Sequence, residues 1–186
     1  CYVLDVALSF GFYTVEAGYN DQLYFWERKW DGSSDVTKVA TATLDAGSYT
    51  ATSLATGIQT SINAVSQFGA AYTCSYEAIT NTILISVTFS SPYAIFGNYH
   101  GFTVLSRKML DNSGVQSRIT AQQPTFSFTN LRDASGILAL DASSAGTFDN
   151  IAALLYAYDN AVLTGSFPKT LRSGHIDVRA RHVLYL

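Results

Sequence analysis

Apolar and polar residues alternate with a period of two along several short segments of this chain. In a β-strand successive side chains point to opposite faces, so this alternation is typical of a strand with one buried face. It recurs in an aromatic segment, Gln22–Arg28, and in a segment rich in Val and Thr, Val36–Leu44. A further segment at the start of the sequence, residues 2–9, places four apolar side chains on one face: Tyr2, Leu4, Val6 and Leu8. The pattern predicts a chain built mainly from strands.

One stretch, near residues 50–66, has the period of an amphipathic helix instead. A side-chain oxygen at Ser48 or Thr50 can accept a hydrogen bond from the first helical turn and so cap it. Gly69 is a suitable stop for the helix. The apolar residues are spaced by four, four and three positions and form one stripe: Leu54, Ile58, Ile62 and Val65.

A β-hairpin is predicted directly after this helix. Its two alternating segments are Ala71–Glu77 and Thr82–Phe89, and Thr80 and Asn81 lie in the connection. Cross-strand pairs stabilise such a ladder when apolar side chains meet on one face. The pairing expected here places Cys74 and Tyr76 opposite Ile83 and Ile85.

The second half of the chain is predicted to hold one long connection and four further strands. Arg107–Gln123 is the most polar part of the sequence, which favours an exposed connection. Strands are expected at Thr125–Thr129, Ile137–Leu140, Ala161–Phe167 and Gly174–Leu186.

These segments together predict an all-β fold, a β-sandwich or jelly roll of about eight to ten short antiparallel strands with one short helix. Strands do not alternate with helices, which disfavours a parallel βαβ architecture. The 186 residues suit a single jelly-roll-like domain spanning 1–186. The first residue is Cys rather than Met, and the last segment looks like a strand cut short. The chain is therefore expected to be processed, or to be an excerpt of a longer protein.

The composition limits the partners of this chain. Only 13% of the residues are charged and the formal net charge is −3, whereas binding to phosphates needs a basic excess. Direct binding to nucleic acid is not expected. A surface covered by Ser, Thr, Asn, Gln and Tyr suits protein contacts, dense assemblies or sugars. No apolar run approaches the roughly 18 residues that a membrane-spanning helix needs.

The residues that could carry chemistry form no recognisable constellation. His100, His175 and His182 lack the spacing of metal ligands, and no nucleophile elbow or glycine-rich phosphate loop is present. Cys1 and Cys74 form either one disulfide bond or two free thiols. We expect no cofactor, no metal and no enzymatic activity.

A few residues are candidates for an interface or a ligand contact. The aromatic residues Tyr24, Trp26 and Trp30 could form a platform on which a sugar stacks, or they could supply core on one side and a subunit contact on the other. His100 lies in a glycine-rich loop, where function is more frequent, although a solvated histidine is the simpler interpretation. Two basic residues near the C-terminus, Arg179 and Arg181, either pair with an acidic neighbouring subunit or remain solvated on an exposed face.

Three stretches carry a resemblance to a known class of proteins. One runs from Phe12 to Glu16 and on from Asn20 to Glu27. The second runs from Ala42 to Thr50 and leads into the helix, and the third covers Ser173–Leu186. Together they resemble jelly-roll virion proteins of large eukaryotic double-stranded DNA viruses and their virophage-like relatives. In those proteins a strand, a Gly-x-Tyr-Thr turn, a short helix and a hairpin recur, and a late Asp-x-Arg-x-x-His segment closes the domain.

The resemblance implies a structural virion protein, a penton or minor capsid subunit that assembles through the flanks of its sheets. Its partners would be copies of itself and other capsid proteins, and its location the virion. The second stretch also resembles modules of phage tail and fibre proteins. This leaves a second hypothesis, a module of an attachment protein that binds a host receptor or glycan. The resemblance names no catalytic residue.

Overall fold

The computed structural model describes residues 13–30, 35–89, 101–140, 155 and 170–178. Of these residues, 28% are helical and 33% lie in strands, so the prediction of an all-β chain is wrong. The described strands form two small antiparallel sheets of three strands each and no jelly roll. In chain order the strands are β1 Gln22–Trp30, β2 Asp35–Thr43, β3 Ala71–Glu77, β4 Thr82–Thr88, β5 Gly101–Leu105 and β6 Thr170–Arg172. The α-helices are α1 Ala51–Val65, α2 Arg107–Leu110 and α3 Ser113–Gln122.

The first sheet has the strand order β2-β1-β5, and both pairings are antiparallel. Its central strand β1 is the aromatic segment, and the alternation predicted for it is visible in its packing. Leu23 and Phe25 point to one face, whereas Tyr24 and Trp26 point to the other. The strands predicted at Gln22–Arg28 and Val36–Leu44 are therefore confirmed, and both faces of β1 are buried.

The second sheet has the order β3-β4-β6 and contains the predicted hairpin. Cys74 pairs with Ile85 and Tyr76 pairs with Ile83, which is the expected register. Asn81 in the turn has a φ of 50°, in the left-handed region that asparagine tolerates better than most residues.

Helix α1 begins after Thr50, as predicted. The Thr50 hydroxyl accepts a hydrogen bond from the Ser53 backbone N–H at 3.1 Å, and the Ser53 hydroxyl accepts one from the Thr50 N–H at 2.9 Å. This reciprocal pair is a capping box, which satisfies two backbone donors. Leu54, Ile58 and Ile62 are fully buried against the two sheets.

The core consists of two apolar clusters on opposite faces of the first sheet. The larger cluster joins the Phe25 face to α1 and to the second sheet. The smaller cluster covers the Trp26 face with residues of α2 and α3, among them Leu110, Val115 and Ile119. The first sheet is thus covered by α1 and the second sheet on one face and by α2 and α3 on the other, an arrangement that a two-sheet jelly roll does not have.

Three segments differ from the sequence-based predictions. The expected connection Arg107–Gln123 forms α2 and α3, which are capped by the side chains of Ser106 and Asn112. Thr125–Thr129 is irregular, and a short 3-10 helix at Ser135–Leu138 covers part of the strand expected at Ile137–Leu140. From residue 174 to 178 the chain is also irregular.

Several predicted segments lie outside the described residues. They are the first strand with Tyr2, Leu4, Val6 and Leu8, the strand Ala161–Phe167, and the end of Gly174–Leu186 beyond residue 178. Among the described helices, none is both long enough and apolar enough to cross a membrane.

Candidate functional site

A groove open to solvent, with a volume of about 490 Å³, runs along one side of the first sheet. We call it the β2 groove. One wall belongs to strands β1 and β2 and is formed by Gln22, Tyr24, Val39 and Thr41. The other wall is the irregular chain that follows α3, with lining residues Gln123, Thr125, Phe126, Ser127, Thr129, Asn130 and Leu131. None of the described residues that line the groove is charged.

Gln123 fixes the end of α3 to the edge of the sheet. Its carboxamide accepts a hydrogen bond from the Val39 backbone N–H and donates one to the Val39 carbonyl oxygen at 3.0 Å. Since β2 is the outer strand of this sheet, the amide occupies backbone groups that a further strand would otherwise use. This contact joins the two walls of the groove at one point.

Tyr24 and Phe126 form the aromatic part of the groove. Their ring centroids are 6.1 Å apart in an edge-to-face arrangement, and Phe126 makes a similar contact with Phe128 at 4.9 Å. The Tyr24 hydroxyl donates to Gln22 Oε1 at 2.6 Å and accepts from the Arg132 backbone N–H at 3.2 Å. Burial is the main reason that the pKa of Tyr24 lies above its ordinary value. The phenol is therefore neutral at physiological pH.

The charges closest to the groove are engaged with one another or with the backbone. Arg132 Nε lies 3.2 Å from the buried carboxylate of Asp21. The Asp133 carboxylate accepts hydrogen bonds from the Ser135 backbone N–H at 2.9 Å and from its hydroxyl at 2.7 Å. In the described part of the chain, these three charged side chains thus already have partners of their own.

A second polar cluster surrounds Glu27 at the junction of β1, α1 and β3. The carboxylate is completely buried and accepts three hydrogen bonds of 2.8 Å, from the hydroxyls of Ser66 and Tyr72 and from the Gln67 backbone N–H. Burial, and secondarily the nearby Glu27, raises the pKa of Tyr72, so its hydroxyl stays protonated and donates. The cluster is enclosed and holds three elements together, and a substrate has no access to it.

A third polar cluster lies at the turn end of the hairpin. Arg172 on β6 makes an ion pair with Glu77, and its guanidinium also donates to the Thr82 hydroxyl at 3.0 Å. Hydrogen bonding from Arg172 lowers the pKa of Glu77, and the same contact raises that of Arg172. Arg172 therefore connects the short strand β6 to the turn end of the hairpin.

Of the candidate contact residues, the structure describes the side chains of Tyr24 and Trp26, which lie on the same face of β1. Tyr24 lies in the β2 groove but is only 4% exposed, and Trp26 is 1% exposed beneath α2 and α3. Trp26 is thus core on its face of the sheet, and its ring is not accessible to a sugar in this structure. The Trp30 backbone ends β1, and its side chain lies outside the described residues. His100, Arg179 and Arg181 lie outside them as well.

The remaining reactive residues show no arrangement for catalysis in the described part of the chain. His175 Nδ1 lies 3.3 Å from the Asn81 side-chain nitrogen. Cys74 is a free thiol, and burial raises its pKa to about 12. Within the described ranges, no group of three His, Cys, Asp or Glu residues is placed to hold a metal ion.

Sequence reasoning missed the β2 groove. The alternation of Phe126 and Phe128 in Thr125–Thr129 was the available signal, and it favoured a strand.

In comparisons with known proteins, no protein-family model, curated protein or solved structure gives a significant match to the chain.

Proposed function

We propose that this chain is a non-catalytic component of a virion, held in the particle by contacts with copies of itself or with other coat proteins. The observation that carries this proposal is the order of elements from β2 to β4. A strand, a Gly-x-Tyr-Thr turn, a short helix and a hairpin follow one another. This is the order that recurs in the virion proteins that the sequence resembles. The proposal concerns the role of the chain in the particle and not its fold, because the described strands do not form a jelly roll.

The residues of the turn each have a local structural role, which supports treating it as a defined unit. Gly47 exchanges two backbone hydrogen bonds with Val15, at 2.9 and 3.0 Å. The Tyr49 hydroxyl donates to the Asp45 carbonyl oxygen at 2.6 Å, and Thr50 caps α1. The resemblance therefore falls on residues that build the connection between β2 and α1.

The surroundings of the acidic residues support a role without catalysis. Glu27 is enclosed and Glu77 is paired with Arg172, so each carboxylate already has structural partners. A general acid or base must reach its substrate within hydrogen-bonding distance. The described part of the chain places neither carboxylate in the β2 groove.

The low charge supports assembly. Only 13% of all residues are charged. Removing charges from water costs free energy that pairing only partly recovers, so a neutral surface is easier to bury between subunits.

The proposal is tested by locating the chain in particles. Virions from an infected culture are purified on a density gradient, washed with high salt and analysed by quantitative mass spectrometry. A replication enzyme of the same virus serves as the control. We expect this chain to follow the major coat protein at a constant ratio while the control is lost. Loss of the chain together with the control would contradict the proposal.

The β2 groove favours one form of this role, an attachment protein that recognises a ligand outside the particle. The groove is open to solvent, and the described residues that line it are uncharged. This is the second hypothesis from the sequence, and binding assays on the isolated protein address it directly.

A further inference from the structure

We infer that the β2 groove is a binding site for a neutral saccharide. This inference adds a ligand to the proposed role as a virion component. It does not depend on that role, because the described residues that line the groove belong to this chain.

The size and the neutrality of the groove define the class of ligand. Its volume of about 490 Å³ falls within the range of about 300–1,000 Å³ that is common for small-molecule sites. A charged ligand would lose hydration without gaining a counter-charge, since none of the lining residues is charged. Arg132 is already paired with Asp21 beside the groove. The site therefore favours an uncharged ligand.

The hydrogen-bonding groups of the groove suit a ligand that carries many hydroxyls. Gln22 uses Oε1 to accept from Tyr24, which leaves its NH₂ group as a donor. The hydroxyl of Thr41 and the carboxamide of Asn130 line the same space. Hydroxyls and carboxamides both donate and accept, and so do the hydroxyl groups of a sugar.

Phe126 supplies the apolar surface that such a ligand also needs. Its half-buried ring lines the groove and is held in place by edge-to-face contacts with Tyr24 and Phe128. A sugar ring has an apolar face of C–H groups that can pack on an aromatic ring. Sites for small molecules commonly combine aromatic walls with a few placed polar groups.

The groove is formed before any ligand arrives, and it is closed to an added peptide strand at its centre. The Gln123 carboxamide occupies both backbone groups of Val39, so a peptide that extends the sheet along β2 would have to displace it. Asn130 has a φ of 55°, a left-handed conformation that fixes the course of the second wall. These features favour a saccharide over an extended peptide.

The test uses saturation-transfer NMR on the purified chain at millimolar ligand. The probes are neutral oligosaccharides that end in glucose, galactose, mannose or N-acetylglucosamine, together with sialylated and sulfated counterparts and an uncharged extended peptide. The variant combines Thr41→Val, which keeps a β-branched residue in the strand, with Asn130→Gly, which tolerates the positive φ. The control is Thr73→Val, an exposed position on β3 in the other sheet.

We expect at least one neutral oligosaccharide to bind, and the Thr41→Val/Asn130→Gly variant to weaken it about ten-fold through the loss of two polar contacts. Thr73→Val should leave the affinity unchanged. Binding of none of the neutral sugars, preference for the anionic sugars or the peptide, or equal binding by the groove variant and the control would each overturn the inference. Circular dichroism and thermal unfolding confirm that the compared variants are folded. None of these outcomes depends on whether the chain is found in virions.

Discussion

At the scale of single residues, the fold depends on a few buried polar groups with complete sets of partners. Glu27 is the clearest of them, because a carboxylate without any exposure is costly unless donors surround it. Ser66, Gln67 and Tyr72 supply three such donors. The carboxylate thereby joins the end of α1 to both sheets.

Replacing Glu27 with Gln should destabilise the protein by about 2–3 kcal/mol, since a carboxamide presents an NH₂ group to donors and leaves part of the cluster unsatisfied. Urea unfolding followed by fluorescence measures the free energy of unfolding. Glu77→Gln, which removes a carboxylate in a partly exposed ion pair, is the matched control and should cost clearly less. Equal losses in the two variants would show that the buried cluster has no special role.

Cys74 gives a prediction about pH. Burial raises the pKa of its thiol to about 12, so the fold favours the neutral form. This contribution to stability is complete below the unfolded pKa of about 8.5 and is lost as the pH rises towards 12. In a Cys1→Ser background at pH 8, alkylation of Cys74 should be roughly a hundred-fold or more slower in the native state than in concentrated urea, because the thiolate is the reactive form. Similar rates in the two states, measured by mass spectrometry, would contradict this.

At the scale of elements, the sequence pattern correctly predicted the two elements that local interactions determine, helix α1 and the β3–β4 hairpin. The spacing of Leu54, Ile58 and Ile62, together with the cap at Thr50, specifies α1 almost entirely within 15 residues. The hairpin register likewise follows from alternation on two neighbouring strands. Both elements were therefore predicted correctly.

The segments that cover the Trp26 face of the first sheet were not predictable in the same way. Helix α3 buries only Val115 and Ile119, which is too weak a period to distinguish a helix from a polar connection. The alternation of Phe126 and Phe128 indicates a strand, but the two rings pack on each other and towards Tyr24 without joining a sheet. The β2 groove depends on these tertiary contacts, which the alternation in Thr125–Thr129 does not reveal.

Side-chain amides bind the backbone of one outer strand in each described sheet, β2 in the first and β3 in the second. Gln123 binds Val39 on β2. On β3, Asn63 donates to the Tyr72 carbonyl oxygen and accepts from its N–H, both at 2.8 Å, and Gln59 accepts from the Cys74 N–H at 2.8 Å. Amides that occupy backbone groups protect a sheet edge from pairing with another chain.

Asn63→Ala should therefore loosen the edge of β3. We expect a loss of about 1 kcal/mol in the free energy of unfolding, because two backbone bonds are removed at a position that water can reach. Hydrogen exchange at the Tyr72 amide should become faster. Thr60→Ala, an exposed position on the same helix, should leave both quantities nearly unchanged. Unaltered exchange at Tyr72 in the Asn63 variant would contradict the role assigned to this amide.

At the scale of the whole molecule, the described residues build two sheets around a shared core, with helices where a jelly roll would have strands. The alternation in the sequence reports correctly that the strands are buried on one or both faces. It does not report what covers those faces, which in the described part of the chain are packed on helices as well as on the other sheet. The proposed function therefore relies on the low content of charged residues, on a local motif that resembles those of virion proteins, and on an open groove.

The most direct test of this account is chemical cross-linking of intact particles with a lysine-reactive reagent, read out by mass spectrometry. Lys108 on α2 is exposed and can report on neighbours of the helical layer. The account predicts cross-links from this chain to a second copy of itself or to another coat protein, and their loss when particles are dissociated before the reaction. Cross-links confined within single copies of the chain in intact particles would contradict it.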